Sequence, residues 1–138
     1  MTRLASEIPF RQRMRGFTLV ELMVAAAIIA ILAAVAYPSY ISHMIRSNRS
    51  AAEAHMLDLS QAEQQYLADQ RSYASTVAAL NMTTPAAVSS KYTILIEVQP
   101  GPPPTFLITA TPIPSSSQAS DGALTIDSSG TRSPGDKW

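Results

Sequence analysis

The sequence predicts an α+β chain: a long N-terminal α-helix, apolar in its first half and amphipathic in its second with a kink at Pro38 between them, packed on a small antiparallel β-sheet of three to four strands. Three observations predict it. Residues 17–37 form a dense apolar block, and 22–36 hold nothing but Ala, Val, Ile, Leu and Met. Beyond that block Ile41, Ile45, Ala52, Met56, Leu59 and Tyr66 recur at three-, four- or seven-residue steps, the period of one helix face. After residue 90, three runs rich in Ile, Val, Thr and aromatics are separated by Pro-, Gly- and Ser-rich connections.

Taking the elements in order, the chain starts with a basic tail. Arg3, Arg11, Arg13 and Arg15 are four of the ten basic residues, which leaves six against nine acids from residue 17 onward. The apolar block that follows is long enough to span a bilayer, which needs about 20 residues. The arginines put the tail on the cytoplasmic side and the C-terminal part across the membrane. A secretory signal cleaved after Ala34-Val35-Ala36 is the alternative. Two features oppose it: Glu21 sits inside the block, and the helical pattern runs on through Pro38.

A carboxylate beside hydrocarbon costs a few kcal/mol unless it is paired or protonated. If the chain is cut between Gly16 and Phe17, the new α-amino group lies four residues before Glu21, one helical turn away, where it can form a charge pair. The amine of a neighbouring subunit serves equally. Without a membrane, Glu21 would need only the helix macrodipole at an N-terminus. Pro38 lacks an amide hydrogen, so the helix is expected to kink or melt locally there.

Past Pro38 the apolar stripe should carry a packed domain, with Arg46, Arg49, Glu53, Asp58 and Glu63 at other helix positions. Residues 72–90 read as a connecting loop with one helical turn near 75–80. Strands are expected at 92–98, 105–111 and 123–128. Gly101-Pro102-Pro103-Pro104 and the longer 112–122 segment join them as an antiparallel meander. Alternation places Tyr92, Ile94, Ile96 and Val98 on one face, turned to the helix. The resulting division is 1–16 as a leader, 17–70 as the helix with a membrane segment at 17–38, and 71–138 as a head on the helix's second half.

Reactive chemistry is sparse. The 138 residues carry no net formal charge and no cysteine, so thiolate metal sites are excluded and a general basic surface for nucleic acid is not expected. His43 and His55 lack acidic or His neighbours at ligand spacing and are read as solvated or filament-facing. Asp121, Asp127 and Asp136 follow no calcium-loop spacing and are read as capping and turn residues. Arg71, Lys91, Arg132 and Lys137 with Tyr73, Tyr92 and Trp138 are read as surface charges and core aromatics rather than a nucleic-acid patch. No nucleophile elbow, phosphate loop or Cys/His dyad occurs, so no enzyme activity, cofactor or metal is expected.

The segment Arg15-Gly16-Phe17-Thr18-Leu19-Val20-Glu21, followed by the apolar run, resembles the processing site of type IV prepilins. Ile45-Arg46-Ser47-Asn48-Arg49, Tyr66, Tyr73, Gly122-Ala123-Leu124-Thr125-Ile126, Gly130, Arg132 and Trp138 extend the resemblance to PilE-type minor pilins. The resemblance implies cleavage after Gly16 by an inner-membrane prepilin peptidase and methylation of the Phe17 amine. It also implies that Glu21 pairs with such an amine as subunits assemble through their helices. A structural role in an adhesive or motile type IV pilus follows. The alternatives are a type II secretion pseudopilin and a membrane-anchored binding module such as a DNA-uptake pilin. The expected location is the inner membrane, single-pass with a periplasmic head, and then the extracellular filament. Family members close a C-terminal loop with two cysteines, and this chain has Asp121 and Lys137 in those places. An exposed ion pair there contributes at most about 1 kcal/mol against about 2–4 for a disulfide, so the expectation is a weakly tethered loop.

Overall fold

A computed structural model describes residues 16–138, and the expected leader therefore lies outside the described residues except for Gly16. Helix α1 covers Leu19–Gln70 and includes Pro38 without a break in its assignment, so the local melting entertained at that proline is not seen. By its contacts the chain divides between Pro38 and Ser39. In the first unit α1 is long and apolar enough to cross a membrane, and its side chains are exposed. Phe17, Leu19 and Val35 have 78%, 73% and 74% of their surface free.

The second unit is the packed head. Ala52, Met56 and Leu59 on α1 are completely buried, as the periodic stripe predicts. They meet a four-stranded antiparallel sheet in the order β1 Tyr92–Gln99, β2 Thr105–Pro112, β3 Leu124–Asp127 and β4 Arg132–Ser133. Tyr92 is opposite Pro112 and Gln99 opposite Thr105, while β3 joins β2 through Ala110 opposite Leu124. Every neighbouring pair of strands is consecutive in sequence, the meander that short connections favour.

Alternation is visible in β1, where Tyr92 and Ile96 are buried while Thr93, Leu95 and Glu97 are exposed. From β2 and β3, Phe106, Ile108, Ala110, Leu124 and Ile126 complete the core. Fully burying side chains of this size contributes roughly 1.5–3 kcal/mol each. Tyr73 packs edge-on to Phe106 with ring centroids 4.7 Å apart, which fastens the loop after α1 to the sheet.

The loop is more ordered than its composition suggests. Thr76 caps a 3₁₀ turn at Val77–Leu80 by accepting the Ala79 N–H, and Asn81 ends the turn in the left-handed region with φ 55°. A four-residue helix α2, Ala86–Ser89, places Val88 in the core. Neither α2 nor the two-residue β4 is long enough to leave a periodic trace in the sequence.

Two expectations about the helix faces are corrected. His55, read as solvated, is 5% exposed, and Glu63, read as lying off the buried stripe, is fully buried. Glu63 lies four residues after Leu59 and seven after Met56, on the buried stripe itself, and was set apart from it only by its charge, while His55 lies beside Met56 on a buried sector that is about 100° wide or more.

Candidate functional site

Two assemblies of polar groups stand out, one in each unit. Before α1, Gly16 and Phe17 are exposed and outside any helix or strand, and Gly16, Phe17, Thr18 and Glu21 border one open depression. Thr18 is the N-cap: its Oγ1 accepts the Glu21 N–H at 3.2 Å and its carbonyl accepts the Leu22 N–H at 3.2 Å. Glu21 therefore occupies the third helical position, where the positive end of the helix dipole favours a carboxylate. From there to Arg46, α1 has no other Asp, Glu, Lys or Arg. The cap fixes the relation between Phe17 and Glu21: the residue whose amine a cut after Gly16 would free stands one turn before a lone acid.

In the head, Asp121 gathers donors from three elements. Arg49 of α1 donates through Nε at 2.9 Å and again through Nη2, Tyr92 of β1 donates its hydroxyl at 2.8 Å, and Gln118 donates Nε2 at 2.9 Å. Gln118 is itself fully buried; its amide nitrogen also donates to the Ile45 carbonyl at 2.9 Å, and its oxygen accepts from Asn48 at 3.2 Å. Burial alone would raise the Asp121 carboxyl, but the donors from Arg49, Tyr92 and Gln118 outweigh it and hold the pKa at about 2. Burial, with Asp121 beside it, pushes the Tyr92 phenol upward, and the hydrogen bond to Asp121 raises Arg49.

Lys137 reaches this cluster by another route than the one expected. Its ammonium donates to the main-chain carbonyl of Asp121, while the ion pair of the carboxylate is with Arg49. The loop is thus held by a buried, bidentate pair to the helix in place of an exposed Asp121–Lys137 pair. Gly122 follows with φ +83°, and a Cβ there would stand 3.2 Å from the Lys137 Nζ. Arg132, read as a surface charge, lies 5.3 Å from the Trp138 ring centre. Asp127 accepts the Ser129 and Thr131 N–H groups at 2.8 and 2.9 Å and so organises the β3–β4 turn.

Sequence reasoning did not find Arg49, Asn48, Tyr92 and Gln118 as partners of the loop. A signal was present on the helix side: Asn48 and Arg49 lie three and four residues from Ile45 and Ala52, hence on the flank of the apolar stripe. None was present for Gln118, which lies in a Ser-rich stretch.

A capped apolar helix with a single acid in its first turn, continuing into a helix-on-meander head, defines the class of pilin-like proteins. The chain belongs to the type IV pilin family: a family model described as "Type IV minor pilin ComP, DNA uptake sequence receptor" matches residues 38–125. The prokaryotic N-terminal methylation motif matches residues 11–37. Among curated proteins, the chain is similar to the type IV major pilin protein PilA of Myxococcus xanthus, 42% identical over 46% of this chain and 29% of that protein. It is also similar to the type IV wide pilus major component PilA4 of Thermus thermophilus, 42% identical over 48% of this chain and 50% of that one. A fimbrial protein of Neisseria meningitidis is 32% identical over 63% of this chain and 51% of its own length. The chain spans about half or less of the length of these curated relatives.

Proposed function

We propose that this pilin is a structural subunit of a type IV pilus, cut after Gly16 by a prepilin peptidase, methylated on Phe17 and assembled through the apolar half of α1. In this reading the helix anchors the precursor in the inner membrane with the head outside, and the filament later covers the same apolar surface with neighbouring helices. One observation carries it: Glu21 at the capped start of a helix that is otherwise uncharged to Arg46 and wholly exposed up to Pro38. A lone carboxylate in such a segment marks a site where a partner charge is supplied, and the freed amine of Phe17, in the same or an adjacent copy, supplies it. Pro38 ends this segment where the first unit ends. Glu21→Leu is expected to leave cleavage intact, by mass spectrometry of the mature N-terminus, and to remove the protein from sheared filaments; undiminished incorporation refutes the role of Glu21. A pseudopilin obeys the same helix physics, and recovery in surface pili separates the two.

The family model favours a second reading, a receptor for DNA during uptake. The head is a weak electrostatic trap, because Arg49 is paired with Asp121 and the remaining cations, Lys137 on the Asp121 carbonyl and Arg132 beside Trp138 among them, are few against nine acids from residue 17 onward. Duplex DNA held with an affinity that falls steeply with salt supports uptake; no retention at low salt leaves the filament role alone.

A further inference from the structure

Glu63 has no part in either assembly. It is fully buried, and its Oε2 accepts the Ala74 N–H at 2.8 Å while Oε1, equally buried, has no hydrogen-bond partner. One neutral amide is scant compensation for a buried negative charge. Among the described residues no ion pair is made to it. On α1 the buried neighbour two turns earlier is His55, whose Nε2 is also unpartnered. From the loop comes Tyr73, whose ring packs on Phe106. On the inner face of the sheet the titratable group is Tyr92, committed to Asp121. Burial raises the Glu63 pKa, and the Ala74 amide lowers it by less.

The place of this bond gives it leverage. Arg71, in the left-handed region at φ 58°, turns the chain back from the end of α1, and Ala74 is the first main-chain group beyond that turn tied to the helix by a side chain. The following turn, Val77–Leu80, with Asn81 walls a cleft of about 290 Å³ against Ala62, Gln65, Tyr66 and Asp69.

We propose that Glu63 is a proton-held latch on residues 72–81: with its proton on, the neutral carboxyl keeps the segment docked against α1, and loss of that proton to solvent loosens the segment and the cleft wall. The sign follows from the raised pKa. A carboxyl that binds its proton more tightly in the folded head contributes fully below the unfolded value of 4.5, and that contribution is lost as pH rises through the folded value. His55, lowered by burial, acts in the opposite sense, whereas Glu53, raised by burial and with its own unpartnered Oε1, titrates in the same sense and is set apart by the Glu63 variant. The latch does not depend on the filament reading.

The test is hydrogen exchange of the full chain in detergent micelles, read on peptides covering 72–81 from about pH 4 to about pH 8 and corrected for the intrinsic rate. Protection of Ala74 is expected to fall about tenfold or more across the range in the wild type and to stay level in Glu63→Gln, which keeps an acceptor for Ala74 without the charge. Flat protection in the wild type, or an unchanged pH response in the variant, overturns the proposal. Should the variant fail to fold, carbon NMR of labelled glutamate carboxyls in the wild type decides it. The carboxyl assigned to Glu63, told apart from the likewise raised Glu53, must titrate with the midpoint of the Ala74 response, and its failure to do so also overturns the latch.

Discussion

Asp121→Asn measures how firmly the C-terminal loop is locked to the helix in a chain without cysteine. The side chain of Asp121 is 3% exposed and that of Arg49 20%, so the pair is shielded from solvent and salt on the acid's side. A carboxyl held at about 2 against an ordinary 3.8 stabilises the head by about 2.5 kcal/mol at neutral pH. Asparagine retains an acceptor for Tyr92 or Gln118 but removes the charge, so the expected loss is about 2–3 kcal/mol, or a fall of about 10–20 °C in Tm for a head of this size. The depressed pKa fixes the pH dependence. The contribution is complete above the ordinary carboxyl value and disappears as pH falls through about 2, so wild type and variant converge in acid. Trp138 is the single tryptophan and lies in the head, so its fluorescence reports head unfolding in the full chain in micelles. An equal deficit at neutral pH and near pH 2, or a variant as stable as the wild type at neutral pH, refutes the assignment of the lock to this carboxylate.

Gly16→Leu is expected to leave the uncut precursor as the dominant species by intact mass, because a bulky side chain blocks close backbone approach at the scissile bond; normal trimming sinks the cleavage site. Asp121→Cys with Lys137→Cys is expected to form an oxidative crosslink that restores about 2–4 kcal/mol, comparable with what the lost carboxylate contributed. Failure to crosslink counts against the proximity of the two positions.

The helix and the meander were legible because their signals are periodic and long. A run of 15 residues of five apolar types at 22–36, and alternation through Tyr92, Ile94, Ile96 and Val98, each repeat one physical requirement many times. Short elements repeat nothing: α2 and β4 are stabilised by tertiary contact, Val88 in the core and Thr125 opposite Ser133. The N-terminal methylation motif was legible for a different reason, since its residues are close in sequence and need no tertiary contact to come together.

The lock was not legible, because its parts come from residues 45–49, 92 and 118–121, joined only when the sheet docks on α1. The resemblance pointed to Asp121 and Lys137 as an ion pair in the places of two cysteines; the two residues do meet, but through the Asp121 main-chain carbonyl, with the carboxylate taken by Arg49. Arg49 outcompetes Lys137 for the carboxylate because its planar guanidinium donates two hydrogen bonds to the two carboxylate oxygens, which a single ammonium does not match. Lys137 is left to cap the carbonyl of the same residue, which still ties the chain's end to the loop. The consequence reaches the second reading of function. A head that commits Arg49 to the lock on its own loop has one guanidinium fewer to offer a polyanion.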